Sequence, residues 1–169
     1  MDVAVSELVL NFLPEPGAAV AQAARVVAPG GLVAAYVWDY AESMGFLRHF
    51  WDAVTAVDPS SVAELDEGRR FPLCRPDPLR RLWSEAALVE VKVVPIEVRT
   101  RFAGFSDLWD PFLPGQGPAP GHVASLAAAA RERLREALQQ RVPARTDGSI
   151  ALRARAWGVR GRRAGVVDR

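Results

Sequence analysis

Apolar and polar positions along the chain fall into blocks whose period changes from one block to the next. Asp2–Leu10 (DVAVSELVL) is rich in Val and Leu with few polar breaks, the pattern of a parallel strand buried on both faces. Pro14, Pro16 and Gly17 interrupt it. From Gly17 to Ala28, Val20, Ala23, Ala24 and Val27 recur at i, i+3, i+4 and i+7, which predicts a helix with one apolar face. Pro29-Gly30-Gly31 ends that helix, because glycine takes a left-handed conformation past a helix end without a Cβ clash. Leu32–Trp38 (LVAAYVW) is a second continuous apolar run of strand length. Strand, helix and strand in this order predict a right-handed crossover between two parallel strands.

Downstream, Asp39–Gly45 is a polar loop leaving the carboxyl end of the second strand. Phe46, Leu47, Phe50, Trp51, Val54 and Val57 make Phe46–Val57 an amphipathic helix. Asp58–Ser61 reads as a turn, and Glu64, Asp66, Glu67, Arg69 and Arg70 as a run of solvated ion pairs. Pro76–Ala87 is predicted helical, with Asp77 as N-cap, Pro78 at the first helical position and Leu79, Leu82, Trp83 and Ala86 facing the core. Val89–Phe102 alternates Val89, Val91 and Val93 with Glu90 and Lys92, then resets its phase at Ile96 and Val98. That predicts a strand with one wet face and a bulge or edge position at Pro95. Residues 103–146 form an insertion: a short aromatic helix or turn (Phe105–Leu113), a Pro/Gly loop (residues 114–121) and an amphipathic helix (His122–Arg141). After the Asp147-Gly148 turn, Ser149–Val159 alternates as a final antiparallel strand, and Gly161–Arg169 reads as a disordered tail.

Composition narrows the function classes. Half of the 169 residues are hydrophobic and the formal net charge is +1, so neither a nucleic-acid nor a membrane-surface partner is expected. Lys92 is the sole lysine, and the arginines are spread out except at the end of the chain. The single cysteine, Cys74, excludes an internal disulfide and fits a reducing, cytoplasmic setting. No charged-then-apolar leader is present, nor an apolar run near the ~18 residues a membrane span needs.

Asp2–Leu10 ending in Ser6-Glu7-Leu8-Val9-Leu10-Asn11-Phe12, then Pro14-Glu15-Pro16, then Ala24-Arg25-Val26-Val27-Ala28-Pro29-Gly30-Gly31, resembles the second half of a class I S-adenosylmethionine (SAM)-dependent methyltransferase. The closest subgroup is the small-molecule type related to quinone-biosynthesis methyltransferases. The resemblance implies an α/β fold: a partial Rossmann-like sheet equivalent to strands four to seven, helices on both faces and a helical insertion before the last strand. It extends over residues 1–161, leaving 162–169 as tail, and makes 103–146 a substrate lid. Relatives usually carry Ala-Gly where this chain has Ala87-Leu88. The family's Gly-rich cofactor turn has no counterpart: Gly115-Gln116-Gly117 is the one G-x-G, and it lies between prolines. The chain therefore reads as the C-terminal portion of such an enzyme.

The same resemblance assigns candidate residues. Ser6, Glu7 and Leu8 would lie against the methionine portion of SAM. Trp38, Asp39 and Tyr40 follow the carboxyl end of a strand, where ligands of open α/β sheets bind; otherwise they cap the sheet. Phe105, Trp109, Phe112 and Gln116 are candidates for contacting the methyl acceptor, or the aromatics form the insertion's own small core. His49 lacks an orienting partner nearby in sequence and reads as a helix-surface residue, and Cys74 as a small buried apolar one. No catalytic base and no metal ligand set is named. Three outcomes are expected to compete: an active enzyme whose sequence is cut short, a non-catalytic truncated product, and a module whose sheet is completed by a second copy or a partner chain.

Overall fold

The computed structural model describes residues 1–165. Its elements, in order, are β1 (Val3–Glu7), α1 (Pro16–Val26), β2 (Leu32–Trp38), α2 (Gly45–Val57), the one-turn helices α3 (Val62–Leu65) and α4 (Glu67–Arg70), and α5 (Pro76–Glu85). They continue with β3 (Leu88–Phe102), α6 (Phe105–Trp109), α7 (Pro118–Ser125), α8 (Ala128–Arg141) and β4 (Ile150–Arg163). The strands form one sheet in the order β1-β2-β4-β3. β1 runs parallel to β2, from Val3↔Leu32 to Glu7↔Tyr36. β4 runs antiparallel to β2, from Leu32↔Arg162 to Trp38↔Ala156. The expected α/β class, the parallel crossover and the antiparallel last strand are all present. The chain divides into two units, residues 1–39, 71–96 and 155 onward, and residues 40–70 with 97–154.

In the first unit, alternate residues of β2 decide the packing. Val33, Ala35 and Val37 are buried against Val20 and Val27 of the α1 region and Leu79 and Trp83 of α5. Trp83 also satisfies its indole N–H, which donates to the Val33 carbonyl at 3.1 Å. The other face of β1 and β2 stays open: Val3 is 51% and Val5 60% exposed. Burial on both faces, as the apolar runs suggested, is thus realised on one face in this unit, where α1 and α5 pack. Pro95 does not break β3, which is an edge strand, where proline is tolerated. The strand's alternation does not reset there: Val91 and Val93 pack on the core, whereas Val94 and Ile96 lie on the same side as Lys92 and line a shallow depression on the open face with Val5, Ala34 and Tyr36.

Three boundaries differ from the sequence expectation, each for a local reason. β1 stops at Glu7 because Leu8 takes φ +56°, although its N–H still donates to the Tyr36 carbonyl. α5 starts at Pro76 without a side-chain cap, so Asp77 lies in its first turn and is not the N-cap. β4 runs on to Arg163, through residues expected to be tail. A Cβ on Gly161 would come within 2.9 Å of the Trp83 ring, so the glycine here is a close-packing residue of a strand. Arg163 then ties the strand end to α1: its N–H donates to Gly31, and its guanidinium to the Arg25 and Val27 carbonyls at the helix C-terminus. Residues 166–169 of the expected tail lie outside the described residues.

In the second unit, α2 turns Leu47, Phe50, Trp51, Ala53 and Val54 inward, and α8 contributes Leu134 and Leu138 to the buried side chains. The helix expected over His122–Arg141 is two helices. Leu126 is extended (ψ 139°), and the break is stabilised by Ser125 Oγ donating to the His122 carbonyl and Arg131 donating to that of Leu126. The first of the two begins inside the expected loop, with Pro118 after a positive-φ Gly117.

The charged run is solvated only in part: Glu64, Arg69 and Arg70 are exposed, but its two central carboxylates are not. Asp66 and Glu67 are buried; Arg48 forks onto the Asp66 carboxylate, Gly68 N–H donates to it at 2.8 Å, and Trp51 Nε1–H donates to Glu67 at 2.7 Å. Gly68 sits so close to the Tyr40 carbonyl that a Cβ would be 2.6 Å from it.

Candidate functional site

In open α/β sheets the carboxyl ends of parallel strands are where ligands bind. Here those ends belong to β1 and β2, and the parallel register puts Glu7 beside Tyr36. The Tyr36 phenol is raised above its ordinary value by desolvation and by the Glu7 carboxylate, which also accepts its hydrogen bond. Ser6 points to the other face. Its hydroxyl is buried without a hydrogen-bond partner and borders a cavity of about 90 Å³ lined by Leu10, Val20, Val33 and Trp83. Leu8 follows in the left-handed conformation. So Ser6 and Glu7 address opposite faces of one strand end, and Tyr36 joins Glu7. Alternation along β2 placed Tyr36 opposite Val37 in facing, but nothing in the sequence paired it with Glu7.

At the end of β2, Trp38 is half-buried and Asp39 is 1% exposed. Asp39 is held from two directions. Its N–H donates to the Arg155 carbonyl, and its carboxylate accepts Nε and Nη2 of Arg155 at 2.8 and 2.6 Å. The Arg155 guanidinium in turn lies over the Trp157 ring at 4.5 Å. A carboxylate engaged this way anchors the start of the loop and is a poor mobile base.

The remaining candidates lie in the second unit. Tyr40 is half-buried, and its carbonyl lies against Gly68. Trp109 and Phe112 are buried; Phe112 stacks on Phe50 at 4.5 Å, and Trp109 on Phe105 at 6.4 Å. Phe105 is half-buried beneath the Arg135 guanidinium, and Gln116 is exposed. Of the two readings open for these aromatics, the packing of Trp109 and Phe112 is that of a core. His122 joins the same cluster, edge-on to Phe50, and burial lowers its pKa against the pull of Asp58. Glu67 is shifted the other way: burial raises its pKa, and the Trp51 hydrogen bond offsets part of that. His49 is half-buried on α2, and Cys74 is fully buried in the first unit. Among the described residues no group of His, Cys, Asp and Glu is arranged to hold a metal, and no helix is long and apolar enough to cross a membrane.

No family model and no curated protein matches the sequence. The fold does have solved counterparts. The crystal structure of a candidate methyltransferase from Bacillus halodurans C-125 superposes with a TM-score of 0.51 at 14% identity, over 97% of this chain and 64% of that one. Phospholethanolamine N-methyltransferase 2 of Haemonchus contortus, in complex with phosphomonomethylethanolamine and S-adenosylhomocysteine, matches with a TM-score of 0.44 at 10% identity, over 97% of this chain and 34% of that one. The chain spans less than two thirds of the length of either protein.

Proposed function

We propose that residues 1–161 are the C-terminal part of a SAM-dependent methyltransferase domain acting on a small molecule in the cytoplasm, with 103–146 as its substrate lid. The observation that carries this reading is the strand order β1-β2-β4-β3 with β4 antiparallel to β2, in a fold shared with the Bacillus halodurans protein. The resemblance of Asp2–Gly31 to the small-molecule, quinone-biosynthesis-related subgroup points the same way.

The residues present fit one end of the cofactor. The unpartnered Ser6 hydroxyl and the Glu7 carboxylate are polar groups suited to an amino-acid moiety, with Leu8 beside them. The sequence carries no Gly-rich turn to hold the adenosine. When bound, SAM supplies an electrophilic methyl carbon, and the protein's contribution is mostly positioning. In that role Arg155 fixes Asp39, and Asp39 sets the exit of the chain between Trp38 and Tyr40. Phe105 and Gln116, with accessible surface, would contact the acceptor. Trp109 and Phe112 would support them from the core.

A second reading is a non-catalytic module that pairs with a second copy or a partner chain. One observation favours it: β1 is an edge strand with exposed Val3 and Val5 and no proline, lysine or bulge to guard it. Titration with S-adenosylhomocysteine separates the two when the 169-residue chain is compared with the full-length product of its native gene. Binding by the native product supports methyl transfer. A folded native product that binds no S-adenosylhomocysteine leaves the module.

A further inference from the structure

On the second unit, the carboxyl half of β3 and the amino half of β4 carry arginines whose charge has no function in the reading above. Arg99, Arg101, Arg145 and Arg153 surround a cavity of about 320 Å³ with Ala151 in its wall. All four side chains are exposed. Elsewhere in the chain Arg48, Arg135, Arg155 and Arg162 each reach a carboxylate within 4 Å. Among the described residues, Arg99, Arg101 and Arg153 form no such ion pair.

Two carboxylates stand near the group. Asp147 is close enough to Arg145 to be affected by its charge, yet its oxygen is taken by the Ser149 N–H and hydroxyl at 2.9 and 2.7 Å. Glu97 shares an adjoining depression with Arg99 and Arg153. Four guanidiniums against two carboxylates leave an excess of positive charge around one concavity. Like charges gathered on neighbouring strands repel, so the arrangement costs stability until an anion enters. The strands fix the spacing: Arg99 and Arg101 alternate onto one face of β3, and Arg153 comes from β4. Guanidinium forks match phosphoryl oxygens two at a time, and several forks suit a polyanionic group better than a single carboxylate.

We propose that this cavity binds the phosphoryl group of a soluble small molecule. The site lies within the second unit and does not depend on the methyl-transfer reading. The probe is inorganic pyrophosphate, titrated into the full chain by calorimetry at fixed ionic strength. Saturable binding by the wild type is expected, with affinity reduced about tenfold or more in Arg99→Gln/Arg153→Gln and unchanged in Arg133→Gln on α8. Arg145→Gln, outside the strands, gives the same direction should the double variant fail to fold. No saturable binding by the wild type overturns the proposal, as does equal binding by the wild type and both cavity variants. Co-sedimentation with phosphatidylserine vesicles in the absence of pyrophosphate binding overturns it too, in favour of a membrane surface.

Discussion

Ala87 offers a test of the local physics in which neighbouring substitutions should act with opposite sign. It is the residue after the C-cap of α5, with its N–H donating to the Ser84 carbonyl, and it holds φ +57°. A side chain in that left-handed well costs about 1–2 kcal/mol through the clash of Cβ with the following carbonyl. Glycine removes the clash but gives the unfolded chain more freedom, which costs back about 0.4–1 kcal/mol. The Ala87 methyl is exposed, so its removal forfeits no packing. Ala87→Gly should therefore stabilise the protein by about 0.5–1 kcal/mol, or raise a urea midpoint by about 0.4 M for a slope near 2 kcal/mol/M. Ala86 is the contrast. It has φ −79° and packs on the core, so Ala86→Gly loses both backbone restraint and contact and should destabilise by about 1 kcal/mol. Equilibrium urea unfolding of both variants, at unchanged slope, measures the difference. Two shifts of the same sign, or a lower midpoint for Ala87→Gly, would refute the reasoning.

Other outcomes follow from the buried polar groups. Burial raises the folded pKa of Glu67, so its contribution to stability is full below the ordinary carboxylate range and is lost as pH rises through the raised value; Glu67→Gln should remove that loss of stability with rising pH while keeping an acceptor for Trp51. Burial lowers the pKa of His122, so its contribution is present above about 6.5, the ordinary value, and is lost as pH falls through the lowered one. His122→Asn should flatten the acid side, and thermal melts from pH 5 to 9 read both effects. Asp39→Asn leaves the Arg155 charge largely buried and should destabilise by about 2–3 kcal/mol in urea unfolding, with little recovery in Arg155→Lys, which lacks the fork and the planar face over Trp157. Trp83→Phe removes the indole hydrogen bond to the Val33 carbonyl, which keeps its place in the β2–β4 ladder, and should cost about 0.5–1.5 kcal/mol beyond the lost area.

Periodic features were legible in the sequence. β1, α1 and β2 follow from apolar spacing and from punctuation by Pro and Gly, and Leu47, Phe50, Trp51 and Val54 of the expected α2 stripe are buried, while Val57 at its end is exposed. What the sequence hid depended on contacts between distant residues. Arg48 and Asp66, or Asp39 and Arg155 across 116 positions, cannot be paired from a charge pattern. Gly161 reads as the start of a tail until Trp83 is seen where its Cβ would be. The apolar stripe through Val123, Leu134 and Leu138 continues in phase across the break at Leu126, so periodicity alone could not find it. One-sided cover of β1 and β2 depends on where α1 and α5 pack, which neither strand encodes. Of the candidate site, Ser6, Glu7 and Leu8 were reached only through family resemblance. Tyr36, the partner of Glu7, was missed because it reads as one more apolar strand residue.

The central claim is that this chain supplies part of a SAM site, with the rest supplied by residues outside it. Calorimetric titration with S-adenosylhomocysteine, on the 169-residue chain and on the full-length product of its native gene, tests it most directly. The account predicts micromolar binding by the native product, loss of that binding in its Glu7→Ala variant, and no saturable heat from the isolated chain. Micromolar binding by the isolated chain would contradict the claim of an incomplete site, and a folded native product without binding would contradict the methyltransferase reading itself.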